Sequence, residues 1–564
     1  MMDTQRLIAL VIFSFTSLLL WDAWQKHNAP KIPSAAVTAP AATSVPSAPS
    51  APLATPGAPQ PSAVPAAAGP VSSASVTAAS GEPITVKTDL FEAELNTMGG
   101  DLRRLKLLKV GSALDRNKPL MLMEPDSKHF FVTQSGLLGE GMPTHKSIYT
   151  SDAKSYVLPA NTNSLEVRLV SRDSSGAEVV KRYLFRRGSY EIDVSYDVKN
   201  TSDKPIAPTA YFQFLRDNNP PSQEAAQTNA FAGVTTFTGP AVYTDQSKFV
   251  KVDFSDILKG KQAHPKGAKD GWIAMIQHYF VSAYAPKPGV EREFFTSHVV
   301  DNLFTAGVKV PVGSVAPGSA QTVTVPMYIG PQETDKLEKV APGLDLVVDY
   351  GWLTILAAPL FWLLKWIHGI IGNWGWAIVI LTVLIKLVFY PLNAKAGRSM
   401  AQMKVLAPKM EKLKELYGED RQKLNQAMME LYRTEKINPL GGCLPIIVQI
   451  PVFIALYWVL LASIELRHAP WWGWIQDLSA PDPYFILPVI YAVSMFVQTK
   501  LNPQPADPVQ ARIMLAMPIV FSIFFLFFPA GLVLYWVVQN LLSIVQQWHI
   551  NRTLAAEAKA KAKR

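Results

Sequence analysis

Asn438–Leu460, NPLGGCLPIIVQIPVFIALYWVL, passes from a charged segment directly into an apolar helix that is long enough to cross a bilayer. Gln449 lies about 10 Å along this helix at 1.5 Å per residue. An amide at that depth is costly unless it faces protein or water. We therefore expect the helix to line a polar cavity within a membrane.

The whole chain has the composition of a membrane domain joined to a soluble domain. Of its 564 residues, 49% are hydrophobic and only 17% are charged. Much of the basic surplus behind the net charge of +9 lies in Lys395–Lys436 and Lys559–Arg564. Basic segments beside membrane spans indicate cytoplasmic loops rather than nucleic-acid sites. A single cysteine, Cys443, excludes an intramolecular disulfide and a cysteine-based zinc cluster.

The N-terminal segment 1–28 contains the apolar run Arg6–Trp24. This run is either a cleaved secretory signal or an uncleaved membrane anchor. Trp21 and Trp24 follow the apolar part where a signal would have small residues, and tryptophan suits a membrane interface. We therefore favour the anchor.

Segment 29–81 differs sharply from its neighbours in composition. It is rich in Pro, Ala and Ser, with eleven prolines between Pro30 and Pro70. No charge occurs between Lys31 and Glu82. Such a segment cannot build a core, so we expect a disordered or extended tether.

Segment 82–342 has the alternating, β-branched pattern of strands separated by Gly, Pro, Asn and Asp. Four clear examples are Ile84–Leu90, Leu165–Val170, Tyr190–Val198 and Gln321–Ile329. About 260 residues of this pattern predict a large β-sandwich. The segment shows no catalytic, metal or phosphate-binding motif. Scattered histidines such as His278 and His298 are more typical of structural roles, and we expect no enzyme activity, cofactor or metal.

Beyond residue 342 the chain reads as membrane helices. Five strong span candidates are Trp376–Leu392, Cys443–Ser463, Tyr484–Thr499, Ile513–Phe528 and Leu532–Gln547. Gly351–Gly372 is also apolar and aromatic, but it carries Lys365 and His368.

Charge predicts which loops lie in the cytoplasm. Segment 394–440 contains ten Lys or Arg and six acidic residues, and the tail from Arg552 contains five basic residues and one acidic residue. The loop Arg467–Pro483 has one basic and two acidic residues. The positive-inside bias places the first two inside and that loop outside. The β domain then lies outside, in the periplasm of a Gram-negative cell if the anchor is retained.

The fold class we predict is a multi-pass α-helical membrane protein with six spans and a large outer β-sandwich. With the N-terminus inside, parity allows one span between the β domain and residue 394, and we assign Trp376–Leu392. Segment 343–372 then becomes an amphipathic helix in the outer interface. The alternative is a seventh span with the N-terminus outside.

Polar side chains converge in the cytoplasmic half of the predicted membrane domain. Lys386 lies about 10 Å from the cytoplasmic end of its helix, Thr382 is one turn away on the same face, and Gln449 has a similar depth on the next helix. The last span adds a stripe formed by Tyr535, Trp536, Gln539 and Asn540. Lys386 taken alone could instead extend its head to water. The combination favours a hydrated pocket, suited to a polar segment of another chain.

Segment 394–440 predicts a cytoplasmic helical hairpin, with Asp420 capping the second helix. Its methionines offer an adaptable binding surface: Met400, Met403, Met410, Met428 and Met429. The alternative is simple packing between the two helices.

Three stretches resemble the YidC-type membrane protein insertase family in its Gram-negative form. They are NPLGGCLPIIVQIPVFIALYWVL at 438–460, FPAGLVLYWVVQNLLSIVQQ at 528–547 and MDTQRLIALVIFSF at 2–15. The resemblance implies a periplasmic β-supersandwich over 82–342, an insertase core of five spans over 373–550 and a basic cytoplasmic tail over 551–564. It also implies a groove open to cytoplasm and lipid and closed toward the outside.

The resemblance assigns roles to particular residues. The single basic residue of the groove falls on Lys386, where bacterial relatives most often have arginine. Lysine keeps a charge but loses the planar guanidinium fork. The family's substrate slide maps to Ile447, Ile450, Phe453, Val520, Phe524 and Phe525.

The resemblance also implies partners and a mechanism. The partners are nascent membrane proteins, the ribosome, the Sec translocon (SecYEG, SecDF) and membrane lipids. In this mechanism the hairpin receives a nascent chain, the groove admits its short hydrophilic end, and the apolar segment slides into lipid.

Two other classes of protein remain open. A transporter or channel would use the same polar pocket for a solute, although no internal repeat is visible and the polar residues favour one half of the bilayer. An envelope enzyme or glycan-binding protein would carry its activity in the β domain, an analogy that rests on fold alone.

Overall fold

The computed structural model describes residues 81–112, 115–126, 129–172, 174, 176–219, 236–261, 263–418, 420–435, 444–501 and 508–562. The predicted anchor, nearly all of the predicted tether and Cys443 lie outside these residues.

The first half of the described chain is almost entirely β-structure. The strands are β1 Pro83–Lys87, β2 Phe91–Asn96, β3 Leu102–Gly111, β4 Pro119–Pro125, β5 Phe130–Leu138, β6 Tyr149–Ser151, β7 Ser155–Val157, β8 Ser164–Ser171, β9 Ala177–Arg186, β10 Glu191–Asn200, β11 Thr209–Asp217, β12 Gly239–Thr244, β13 Lys248–Lys251, β14 Gly267–Ala268, β15 Trp272–Ile276, β16 Phe280–Tyr284, β17 Arg292–Val300, β18 Leu303–Pro311 and β19 Ala320–Pro331.

These strands form two packed sheets. One has the order β14-β17-β18-β11-β5-β4-β3-β2-β1-β7, and the other β13-β12-β15-β16-β19-β10-β9-β8-β6. Alternate residues point inward, as in β8, where Val167 and Leu169 are fully buried between exposed neighbours. Phe214 of the first sheet stacks on Tyr284 of the second with ring centroids 4.5 Å apart. The two packed sheets confirm the predicted β-sandwich.

The remaining described chain is helical. The helices are α1 Phe254–Leu258, α2 Thr334–Val340, α3 Thr354–Ile371, α4 Trp374–Val388, α5 Tyr390–Tyr417, α6 Arg421–Thr434, α7 Leu444–Ala462, α8 Ile486–Leu501, α9 Pro508–Phe525 and α10 Ala530–Ala562. Helix α10 packs against α4, α5 and α8, and α3 packs against α4 and α7.

By length and composition, α3 is a helix of the described chain that can cross a membrane by itself. Trp374–Val388 and Tyr390–Met403 meet the same criterion as a pair bent by 65°. Val448–Ala462, Ile486–Leu501 and Leu515–Phe525 are shorter apolar helices. The count of six spans and the interfacial placement of 343–372 stay predictions.

Local sequence explains where the helices begin and end. The side chain of Asn373 accepts a hydrogen bond from the Trp376 amide at the start of α4, and Asp420 accepts two at the start of α6, as predicted. Helix α4 ends at Val388, although the sequence predicts one helix to Leu392. Pro391 causes the break, because it has no N–H and its ring crowds the carbonyl one turn earlier.

The β-sandwich contacts the helices through the tip of the β15–β16 hairpin. His278, at the tip, hydrogen-bonds through Nε2 to the carbonyl oxygen of Leu461 near the end of α7. The guanidinium of Arg467 lies over the ring of Phe280 at 5.6 Å. The side-chain amide of Gln332 donates to two carbonyls of the hairpin and holds its shape.

Candidate functional site

The polar site is built where α4 meets α10. Lys386, two residues before the end of α4, donates a hydrogen bond from Nζ to Ser543 Oγ of α10 at 2.7 Å. Ser543 Oγ in turn donates to the Gln539 carbonyl oxygen at 2.8 Å. The predicted cation therefore points into the helix packing and contacts α10 at Ser543, one turn beyond Gln539 of the predicted stripe.

Lys386 carries its charge in a half-buried position. None of the ion pairs formed by the described residues includes it. Because α4 ends at Val388 rather than Leu392, the lysine lies closer to the end of its helix than predicted. The arrangement leaves a cation in the helix bundle whose hydrogen-bond partner is neutral.

Two of the predicted groove residues face elsewhere. Thr382 is fully buried, and its hydroxyl donates to the Ile378 carbonyl of its own helix at 2.7 Å. Asn540 donates from Nδ2 to Ser494 Oγ of α8 at 3.0 Å. Both side chains are thus satisfied within the helix packing and do not meet Lys386.

The other predicted groove residues gather between α7 and α10. Gln449 approaches the buried phenol of Tyr535. Trp536 Nε1 and Gln539 Oε1 are buried and have no hydrogen-bond partner within the described ranges. Unpaired buried polar groups are costly, so this part of the site suits water or a polar segment of another chain.

The predicted slide residues divide into exposed and packed side chains. Ile450 on α7 is 47% exposed and Val520 on α9 is 58% exposed. Phe525 is only 4% exposed and packs against Tyr491, with ring centroids 4.7 Å apart. Phe524 is half-buried. Ile447 lies in α7, but its side chain is outside the described part.

Phe453 connects the slide to the groove. Its ring lies 4.7 Å from that of Trp536 and 6.4 Å from that of Tyr535, the second pair nearly parallel. Trp536 also contacts Phe525, with centroids 5.9 Å apart. The aromatic rings of α7, α9 and α10 therefore form one packed cluster beside the polar groups.

The methionines of the hairpin are partly used in its own packing. The Tyr432 hydroxyl of α6 lies 3.8 Å from Met410 Sδ of α5, and Lys409 pairs with Glu435 at 2.6 Å. Met403 and Met428 are half-buried, and Met429 is exposed. The side chain of Met400 is not described. Packing between the helices thus accounts for Met410, and Met429 offers surface.

Main-chain bonds join the loop after α7 to the start of α10. In the loop after α7, the Ala480 carbonyl accepts a hydrogen bond from the Ala530 amide at 2.7 Å. The Leu478 carbonyl accepts one from the Gly531 amide at 2.9 Å. These amides are the unpaired donors at the start of α10. On the same side, the ring of Trp471 packs directly on Gly375 of α4.

Sequence reasoning missed Ser543, which belongs to the site, and Ser494, which binds Asn540 away from it. Ser543 lies four residues after Gln539, so extending the predicted stripe by one helical turn would have found it. Ser494 carries no comparable signal, because its role depends on which helix lies beside Asn540. The described residues contain no group of three or more His, Cys, Asp or Glu placed to hold a metal ion.

The protein is thus a helical membrane protein with a large β-sandwich domain. Its helices carry a polar site that contains a cation. A family model described as the 60Kd inner membrane protein matches residues 366–558, and one described as the YidC periplasmic domain matches residues 83–363. The chain is 53% identical over 557 residues to membrane protein insertase YidC of Aromatoleum aromaticum, covering 99% of both chains. It is 52% identical to that of Dechloromonas aromatica, also covering 99% of both.

The chain belongs to the YidC family of membrane protein insertases. It has the β-rich periplasmic domain and the helical C-terminal region of that family, which is a family of insertases and not of enzymes. A crystal structure of an active YidC insertase is similar to this chain, with 19% sequence identity and a TM-score of 0.39. The alignment covers 83% of this chain and 92% of the chain in that crystal structure.

Proposed function

We propose that this chain inserts nascent inner-membrane proteins and helps them fold, alone or together with the Sec translocon. The observation that carries the proposal is the half-buried ammonium of Lys386, which is hydrogen-bonded to Ser543 and lacks a carboxylate partner among the described residues. A cation held in this way attracts an acidic segment of a client, the membrane protein being inserted. Unpaired groups such as Gln539 Oε1 replace part of the water that the segment loses.

The proposed topology is that of a multi-pass inner-membrane protein with six spans. The β domain is periplasmic, and the hairpin 394–440 and the tail 551–564 are cytoplasmic, following the charge bias of the loops. The proposed groove opens to the cytoplasm and to lipid. Its polar part consists of Lys386, Gln449, Tyr535, Trp536 and Gln539.

In the proposed sequence of events, the cytoplasmic hairpin first receives the nascent chain or its ribosome. The groove then admits the short hydrophilic end of the client, and the apolar segment leaves along Ile450 and Val520 into lipid. Burial of apolar area drives this step, and the chain itself needs no nucleotide. Ribosome, SecYEG and SecDF are the proposed protein partners.

Site-specific photo-crosslinking tests the slide. A photoreactive residue replaces Ile450 in the full chain, and a matched variant carries it at Val493 of α8, which is also exposed and apolar. With a ribosome-bound, half-inserted single-span client, we expect crosslinks from position 450 that vanish when the client is released into lipid. Equal crosslinking from both positions, or none from 450 while insertion proceeds, contradicts the slide.

A further inference from the structure

We propose that Ser543 is a positioning residue that holds the Lys386 ammonium inside the site, so that the attraction of acidic client segments in the proposed function depends on Ser543. The inference rests on the proposed insertase function. It adds a specific residue of α10, and the preference for acidic clients serves as the measurement of its role.

The hydrogen bonds around Ser543 have a defined direction. A serine hydroxyl has one hydrogen, and Ser543 gives it to the Gln539 carbonyl at 2.8 Å. Its lone pairs are therefore left to accept, and Lys386 Nζ donates to them at 2.7 Å. An ammonium only donates, so the two groups are matched. The dipoles of the carbonyl and the hydroxyl align so that both stabilise the positive charge.

Without Ser543, the Lys386 side chain can adopt a second position, in which its ammonium extends to the interface. Lys386 lies two residues before the break that ends α4 at Val388. Its flexible stem is long enough to carry the ammonium out to the interface, where water solvates it. The hydrogen bond to α10 is what favours the inward position.

The inward ammonium remains available to a client. Its bond to Ser543 uses one of its three N–H donors, and none of the ion pairs found in the described ranges neutralises it. A carboxylate that enters the site can therefore accept a charge-assisted hydrogen bond, which a neutral amide of the same shape accepts more weakly.

The test compares two clients that differ only in carrying Asp or Asn in the translocated tail. Full-length protein is reconstituted in vesicles of phosphatidylethanolamine and phosphatidylglycerol, and the ratio of Asp-client to Asn-client insertion is measured. The variants are Ser543→Thr and Ser543→Val, which have nearly the same shape but differ in the hydroxyl, together with Ser543→Ala. Ser522→Ala is the control, because Ser522 also donates to a carbonyl of its own helix, that of Pro518.

We expect Ser543→Thr and Ser522→Ala to keep the wild-type ratio. Ser543→Val and Ser543→Ala should lower it about tenfold, as expected for loss of a hydrogen bond to a charged group. Insertion of the Asn client should not change. An equal loss for both clients means that Ser543 is merely structural, and an unchanged ratio in the Val variant also overturns the proposal.

Lys386→Gln separates this inference from the proposed function. If that variant loses the preference while Ser543→Val retains it, the positioning role of Ser543 is wrong and the electrostatic groove stands. If Lys386→Gln retains the preference, the electrostatic part of the proposed function fails as well.

Discussion

His278 Nε2 of the β-sandwich lies 2.8 Å from the carbonyl oxygen of Leu461, in the last turn of α7. The last carbonyls of a helix have no partner within the helix, so this bond satisfies one of them. Burial lowers the pKa of His278 to about 4, and the imidazole is therefore neutral at physiological pH. The periplasmic domain is thereby attached to the helix that carries Gln449 and Phe453.

Replacing His278 with Ala should loosen this attachment. We expect loss of about 1 kcal/mol of local stability, the typical contribution of one such hydrogen bond. The measurement is the width of the distance distribution between spin labels on β19 and α7, which should increase. His298→Ala is the control, because the His298 side chain is exposed and hydrogen-bonds to the nearby Asp301 carbonyl. Unchanged widths in both variants would refute the attachment.

Substitutions at the ion pair buried in the sandwich should have non-additive effects on the free energy of unfolding. Lys181 Nζ lies 3.6 Å from Asp101 Oδ1, and both side chains are almost completely buried. Burial raises the pKa of Asp101 and lowers that of Lys181, while each partner's charge opposes the shift. Lys181→Met leaves an unpaired buried carboxylate and should cost about 3–5 kcal/mol of unfolding free energy.

Lys181→Met combined with Asp101→Asn should recover most of this loss, because no buried charge is then left without its partner. Lys199→Met is the surface control, since the Lys199–Glu178 pair is exposed and such pairs contribute at most about 1 kcal/mol. Denaturant unfolding of the solubilised chain measures all three variants. A double variant that is less stable than Lys181→Met would contradict this account.

The pH dependence of the β domain should carry the signature of His145. Its Nδ1 lies 2.6 Å from the Tyr211 hydroxyl, and burial lowers its pKa to about 4. The unfolded chain has a histidine pKa of about 6.5 and binds the proton more tightly. The contribution of the neutral His145 to the stability of the folded domain is therefore complete above about pH 6.5. It is lost as the pH falls toward about 4.

His145→Gln removes this titration. Between about pH 6.5 and about pH 4, the total loss of unfolding free energy should be smaller by about 3 kcal/mol in this variant. Amide hydrogen exchange of β11, corrected for intrinsic rates, measures the effect in the full chain. An unaltered slope in His145→Gln would show that His145 is not the group responsible.

Gly375 allows the loop 467–483 to pack closely on α4. A Cβ at this position would overlap the ring of Trp471. Gly375→Ala should therefore displace the loop from α4 and cost about 1–3 kcal/mol, as for other overpacked sites. Limited proteolysis within 467–483 provides the measurement. Gly369→Ala of α3 is the control, because an added Cβ there meets open space, and equal cleavage in both variants would count against the packing.

Much of the architecture follows from short-range patterns in the sequence. Alternation predicts the inward-facing Val167 and Leu169 of β8, and a capping carboxylate predicts the start of α6 at Asp420. Sheet order does not follow in this way. Strand β5 pairs with β11 although about eighty residues separate them, and pairing over that distance leaves no local signal.

The sequence also predicts only part of the candidate site, because some of its contacts depend on how the helices pack. A charged side chain within an apolar span carries a large free-energy cost, so the sequence alone is enough to single out Lys386. Which side of α10 faces it depends on the rotation of that helix, which packing against α4, α5 and α8 determines. Sequence periodicity therefore grouped Asn540 with Gln539, whereas the structure points Asn540 toward Ser494.

The join between the loop after α7 and the start of α10 is made by main-chain groups, those of Leu478 and Ala480 with Gly531 and Ala530. Backbone donors and acceptors are the same in nearly every amino acid, so most substitutions in this loop leave the join intact. The contact between α4 and α10 instead depends on the side chains of Lys386 and Ser543. Substitutions at Lys386 or Ser543 can therefore change the contact between α4 and α10 while the main-chain join between the loop and α10 stays intact.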